Sequence, residues 1–308
     1  MSVHNRSTGA DWPELSYAAG HDTWTTLHLW TQVVGKVRLV RTPWTNHSWH
    51  VPLYVTVRGL GTSPIPFDAR TLEIDFDFLE QRLTLRTSDG SERAVALVAQ
   101  PVAQFYAAVM QALDQLAMPV HLHTTPNEIA DAVPFEEDQA PRRYEPAQAT
   151  ELWRALLQID RVLKEFRARF IGKNSPVHFF WGSFDIAVTR FSGREAPPHP
   201  GGVPNFPDWV AREAYSHEVS SAGFWPGGGA VEYPAFYSYA YPAPVGFADA
   251  KVAPAAASYL TALGEFVLPY DAVRAAASPD AEITAFVEST YDAAATLARW
   301  DREALDQR

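Results

Sequence analysis

The chain has 308 residues, 47% hydrophobic and 20% charged, enough to bury a large core in one domain or two. A formal net charge of −11 argues against a nucleic-acid partner, which needs a basic footprint. The absence of cysteine excludes disulfides, thiolate nucleophiles, iron–sulfur clusters and Cys-based zinc sites. No apolar run approaches the roughly 18–20 residues that span a bilayer, and no signal segment follows Met1, so a cytoplasmic protein without a membrane partner is expected.

Residues 1–22 read as a polar N-terminal extension, anchored by Trp12 and Pro13. Over 23–41 the positions Leu27, Trp30, Val33, Val34, Val37 and Val40 recur at helical spacing. Val51, Leu53, Val55 and Val57 then alternate with Pro52, Tyr54 and Thr56, the pattern of a half-buried strand, and residues 59–66 read as a Gly/Pro loop. Two more strands, 72–78 and 82–87, lead through the turn Ser88-Asp89-Gly90-Ser91 into a strand at 93–98. Pro101 opens a helix to Leu116 with one apolar stripe, and this first α+β half runs over 23–123.

Residues 124–147, with Pro126, Pro134, Pro141 and Pro146 among several acids, read as a linker. The second half, 148–308, opens with the strongest helix, 147–171. A strand is expected over 178–189, with Phe180, Phe184, Ile186 and Val188 on its buried face. A Pro/Gly-rich loop covers 192–208 and short aromatic strands cover 215–224 and 235–241. A short helix is expected at 255–266 and a last one at 282–305.

Both halves run helix, antiparallel strands, helix, which gives an α+β fold of two similar halves. Leu29-Trp30 matches Leu152-Trp153, and Val55-Thr56-Val57-Arg58 matches Val188-Thr189-Arg190, so an internal duplication is expected. On the faces opposite the buried ones lie Ser48, His50, Tyr54, Thr56 and Arg58 in the first half, and Trp181, Ser183, Asp185 and Thr189 in the second. Such a mixture suits a cavity better than open water, and packing of the two halves would let these faces line one pocket.

The first expectation for function is a small-molecule enzyme using acid/base chemistry between the halves. His50, Asp185, His217 and Glu218 are its candidate catalytic groups, because a carboxylate can orient and charge an imidazole. Trp49, Trp181, Trp225, Tyr237 and Tyr239 are its candidate walls, with Arg58 or Arg190 to hold an anionic substrate group. Two alternatives stand beside it: a non-catalytic protein that stacks a planar ligand, and a metal-dependent enzyme built on His47, His50, His178 or His217. A purely structural role for the aromatics is a third. No His-Glu-x-x-His motif, phosphate loop or Gly-x-Gly-x-x-Gly fingerprint is present, so no cofactor is assigned. The sequence leaves oligomeric state open.

Several distinctive stretches carry a resemblance that spans nearly the whole chain. They are Leu27-His28-Leu29-Trp30-Thr31-Gln32, Asn46-His47-Ser48-Trp49-His50, Phe179-Phe180-Trp181-Gly182-Ser183-Phe184-Asp185, Ser216-His217-Glu218-Val219 and Pro234-Ala235-Phe236-Tyr237-Ser238-Tyr239. With these motifs the chain resembles a family of bacterial proteins known only as a domain of unknown function. The resemblance implies kinship and no activity.

Overall fold

The computed structural model describes residues 11–229 and 231–307. Two six-stranded antiparallel sheets, each with flanking helices, make the α+β fold that the alternation of patterns predicts. Trp12 lies just ahead of α1, 1% exposed and against Tyr270, and so serves as the expected anchor.

Helix α1 (Tyr17–Arg41) starts earlier than its apolar stripe, at the Ser16 cap, whose side chain accepts from Ala19 N. It is buried along most of its length, with Thr31, Gln32, Lys36 and Arg38 inside as well as the valines. Its β-branched residues are therefore tolerated by packing on all sides rather than by helix propensity. Gly35 permits a close approach: a Cβ there would lie 2.3 Å from the Trp181 ring.

The first sheet contains β1 (Tyr54–Val55), β2 (Gly59–Gly61), β3 (Ile65–Phe67), β4 (Arg70–Asp77), β5 (Arg82–Thr87) and β6 (Glu92–Ala96). Its order is β1-β2-β4-β5-β6, with β3 also pairing β4. The expected strand over 51–57 is shorter than its alternation suggested. Leu53 leaves it to exchange both backbone hydrogen bonds with Phe179 of the other half (2.9 Å each). Thr56 and Gly59 close a tight turn that leaves Val57 84% exposed, and the presumed loop after it holds β2 and β3. Helix α2 (Val102–Gln115) covers this sheet, and 117–145 has no regular element.

Helix α3 (Pro146–Ala168) packs on α1 and leads to the second sheet. That sheet contains β7 (His178–Phe180), β8 (Asp185–Glu195), β9 (His217–Trp225), β10 (Ala235–Tyr241), β11 (Ser258–Leu260) and β12 (Glu265–Pro269), in the order β11-β12-β10-β9-β8-β7. The expected single strand over 178–189 is a hairpin. Its turn at 181–184 uses a left-handed Phe184 (φ 59°) and pairs Phe180 with Asp185. Phe180 therefore shares a face with Asp185, not with Ile186 as the unbroken alternation implied. The expected helix at 255–266 is instead the β11–β12 hairpin, which Gly264 (φ 73°) allows to turn.

Helices α4 (Asp208–Ala214), α5 (Tyr270–Arg274), α6 (Pro279–Leu297) and α7 (Arg302–Leu305) complete the chain, the last helix being split by Arg299 in the left-handed region. Ile186, Val188, Phe224, Phe236 and Leu268 lie in one continuous core that also holds the first sheet's Leu72, Ile74 and Phe76. The opposite face of the second sheet, bearing Asp185, Ala187, Thr189, Val219, Ser221, Tyr237 and Tyr239, looks into a cavity. Among the described residues no helix is long and apolar enough to cross a membrane.

Candidate functional site

Strand alternation puts every second residue of β8, β9 and β10 on the cavity side, and the register sets them in rows. Thr189, Ser221 and Tyr239 form one row, and Ala187, Gly223 and Tyr237 the next. The row with glycine at its centre is the informative one. Tyr237 leans across β9 and donates its phenol to Asp185 Oδ2. A Cβ on Gly223 would lie 2.5 Å from that phenol oxygen and 2.2 Å from Ile186 O. In the adjoining row the hydroxyls of Thr189 and Ser221 bond each other (2.9 Å), and Tyr239 bonds the phenol of Tyr215 (2.8 Å), just past α4.

The opposite wall comes from α1, the 44–51 turn and the irregular segment near 127. Gln32 of α1 clamps the Asn127 backbone, accepting from its N–H (2.7 Å) and donating to its C=O (2.9 Å). Lys36 donates to the Asn127 side chain (2.6 Å), and the Asn127 amide donates in turn to Asn205 O (2.7 Å). Glu128, backbone-bonded to Pro204 O (2.9 Å), is thereby held over the hairpin turn, where it accepts from Ser183 Oγ (2.8 Å). Gly182 makes room for it, since a Cβ there would lie 2.0 Å from the carboxylate. Trp181 donates to Val51 O (2.9 Å), tying the turn to the first half.

Two connected spaces result. A partly open cavity of about 530 Å³ runs between Lys36, Trp49, Trp181 and the sheet. A more open cleft of about 680 Å³ lies between His28, Trp225 and Glu265. Asp185, Glu128, Ser183, Tyr215, Tyr237 and Tyr239 line both. Trp44 and Trp209, ring centroids 5.0 Å apart and each about half exposed, also line the first of these spaces.

Burial dominates the electrostatics. It pushes the Asp185 carboxyl up to about 7, helped by the nearby Glu128, while Tyr237, Ser183 and the residue's own amide pull the other way. Burial, with Asp185 nearby, raises Glu265 to about 7, and burial raises Glu128 too. Burial lowers Lys36 to about 8 and His28 to about 4, so His28 is neutral and donates from Nε2 to Gly182 O (2.7 Å). Asp185 is 8% exposed, and its Oδ1 has no hydrogen-bond partner. Among the described residues no salt bridge reaches Asp185, Glu128 or Glu265.

Of the residues singled out in the sequence, Asp185, Tyr237, Tyr239, Trp49, Trp181 and Trp225 lie on these walls. The others are engaged elsewhere. His50 is buried beside Trp44, its Nδ1 accepting from Thr45 N (3.2 Å), and no hydrogen bond joins it to Asp185. His217 bonds Ser216, and Glu218 accepts two hydrogen bonds from Arg194 (2.9 and 2.6 Å). Arg58 pairs with Asp77 (2.6 Å) on the first sheet. Arg190 is 1% exposed, lies 3.5 Å from the Phe166 ring centroid, and donates to Phe166 O.

The four candidate metal histidines do not converge. His47 donates to Ala214 O (2.9 Å) and accepts from Lys173 (2.6 Å), whereas His178 is enclosed by Trp49, Tyr54 and Phe180. His47 and His217 are the nearest two, with ring centroids 6.1 Å apart. Among the described residues no group of three or more His, Asp and Glu side chains is placed to hold a metal ion. Glu128, Glu265, Lys36 and Tyr215 are the wall residues that sequence reading missed. Glu128 sits in a Pro-rich stretch that resembles a linker, and only the buried Gln32 and Lys36 on α1 hinted that something polar must dock there.

The model of a family of unknown function, DUF5996, matches residues 12–307. The chain belongs to that family. No curated protein and no solved structure matched it. Membership in DUF5996 thus covers the whole cavity, from α1 to β12, and assigns it no reaction.

Proposed function

We propose that the protein is a small-molecule enzyme that uses acid/base chemistry in the cavity between α1 and the second sheet, with Asp185 as the proton-transferring group. One observation carries this reading: a buried carboxyl on the cavity wall has one oxygen held by Tyr237 and the other unpartnered. Burial brings that group to about 7, where it both takes and returns a proton near neutral pH. Tyr237 fixes the carboxyl's orientation, as a general base requires. The aromatic walls, Trp49, Trp181 and Tyr239, suit a substrate with an apolar or planar body. His50, His217, Glu218, Arg58 and Arg190 have no part in it, being committed to other partners.

The same walls fit a non-catalytic binder, and one experiment separates the two. A metabolite extract is incubated with the protein in D₂O, and conversion or deuterium uptake is followed by mass spectrometry. Wild type converts or labels at least one compound, and Asp185→Asn lowers that rate by about 10²- to 10⁴-fold. Equal rates in the two proteins, or no compound changed by wild type, would remove the catalytic reading.

A further inference from the structure

The cavity walls are unbalanced in charge. Asp185, Glu128 and Glu265 stand on them, whereas Lys36 is the one lysine or arginine there among the described residues. Lys36 is spent on the Asn127 side chain (2.6 Å) and forms no ion pair with the three acids. The arginines expected to hold an anionic group lie elsewhere, Arg58 on Asp77 and Arg190 inside the core. An acidic cluster alone means little, because buried carboxyls can stay protonated. Here a second feature points to a ligand. Asp185 is 8% exposed, it lies on the cavity wall, and its Oδ1 has no hydrogen-bond partner. A buried acceptor left unsatisfied is costly, so an incoming donor at that oxygen is favoured.

The remaining walls are those that attract a cation. Trp181, Phe180, Tyr237 and Tyr239 line the same cavity as Asp185 and Glu128, and Trp49 beside them already carries the Lys173 ammonium 5.3 Å from its ring centroid. A carboxylate substrate would add a further acid to walls that already hold three, and a neutral polyol would gain nothing from an ionised Asp185.

We propose that the ligand of this cavity is a protonated amine with an apolar or aromatic body, its ammonium N–H donating to Asp185 Oδ1 and its body lying against the aromatic walls. This rests on the cavity being a small-molecule site, and it names the class of molecule that the site takes.

The pH dependence follows from the groups around Asp185. They are Glu128 from the irregular segment, Glu265 from β12, Tyr237 and Tyr239 from β10, Tyr215 after α4, and Lys36 and His28 from α1. Tyr17, His21, His47, His123 and His199 complete the titratable lining. Every one of these loses positive charge or gains negative charge as pH rises. A proton competes with the ammonium for Asp185, whose carboxyl burial raises to about 7. Apparent affinity therefore rises about tenfold from pH 6 to pH 8, while a primary alkylammonium stays protonated.

The test is equilibrium binding, by calorimetry or Trp fluorescence, of 2-phenylethylammonium, cyclohexylmethylammonium and hexylammonium. Each is compared with the alcohol and the carboxylate of the same skeleton. At pH 8 at least one ammonium ion binds tenfold or more tighter than both its counterparts, and its affinity drops about tenfold at pH 6. Asp185→Asn abolishes the preference while the circular dichroism melt shows a folded protein. If that variant does not fold, the wild-type charge preference and pH dependence decide by themselves. Tighter binding of an alcohol or carboxylate overturns the amine assignment and leaves the catalytic reading to its own turnover experiment. Absence of binding by all nine probes at 10 mM overturns it as well.

Discussion

Tyr237 reaches Asp185 across an intervening strand because that strand carries Gly223 at the crossing point. The bond joins a phenol on β10 to a carboxyl on β8, 52 residues apart in the chain. Both groups are buried, so the contact is made in a medium where charge is poorly solvated. It holds one oxygen of the carboxyl in place, which makes it the point where the site is most open to test.

Tyr237→Phe removes the phenol donor. Since that hydrogen bond lowers the Asp185 carboxyl, its loss moves the group above about 7, by on the order of one pH unit. A carbon-13 titration of the aspartate carboxyls, or the acidic limb of a pH–rate profile, reads the change. An unmoved or lowered midpoint would show that the phenol does not act on this carboxyl.

Asp185 also ties stability to pH. Its carboxyl ordinarily titrates near 3.8 and in the folded protein at about 7, so between those values the folded state holds a proton that the unfolded state releases. Stability from this group is therefore present below about pH 4 and is lost as pH rises to about 7. Glu265, raised from 4.5 to about 7, acts in the same sense. The melting temperature of wild type should fall by roughly 2–5 °C more between pH 5 and pH 8 than that of Asp185→Asn, read by calorimetry at both pH values.

Gly223→Ala places a methyl group 2.5 Å from the Tyr237 phenol and 2.2 Å from Ile186 O. The backbone neighbour cannot move cheaply, so a loss of about 1–3 kcal/mol in urea unfolding is expected. Tyr237 is pushed off Asp185 at the same time, and the variant should reproduce the raised titration of Tyr237→Phe. A stable Gly223→Ala with an unchanged carboxyl midpoint would contradict the packing described.

Arg190 was expected to bind substrate from its place on a strand face. Its guanidinium instead lies 3.5 Å from the Phe166 ring centroid and 4.3 Å from that of Tyr291, with Glu288 at 3.4 Å. Arg190→Ala should cost about 2–4 kcal/mol in denaturant unfolding, by loss of buried hydrogen bonds and ring contacts. Arg190→Lys should recover only part of it, because a lysine lacks the planar fork that both stacks and donates. Amine binding by the folded fraction should stay within twofold of wild type.

How much of this was legible depended on the range of the interaction that decided each feature. The helices at 17–41, 102–115 and 146–168 and the strands at 70–77, 82–87 and 235–241 announce themselves through local period. The strand expected through Val57 failed because Leu53 pairs with Phe179, 126 positions on, and draws the chain out of the first sheet. Likewise, 255–266 has the alanines of a helix, yet β10 offers its edge to residues 265–269, and a paired edge outweighs propensity.

The candidate site divides along the same line. Alternation along β8 and β10 sufficed to place Asp185, Tyr237 and Tyr239 on the face away from the core, since side-chain direction in a strand has period two. That these residues meet, and that His50 is not among them, depended on the order of strands in a sheet and on the β7–β8 turn, neither of which has a local signature. Glu128 is the clearest case. Nothing near it in sequence marks it, and it joins Asp185 on the cavity wall because Gln32 captures Asn127 from 95 residues away. Local chemistry thus determined which side chains could face a cavity. The tertiary structure decided which of them share one, because the hydrogen bonds that bring them together close loops far longer than any period in the sequence.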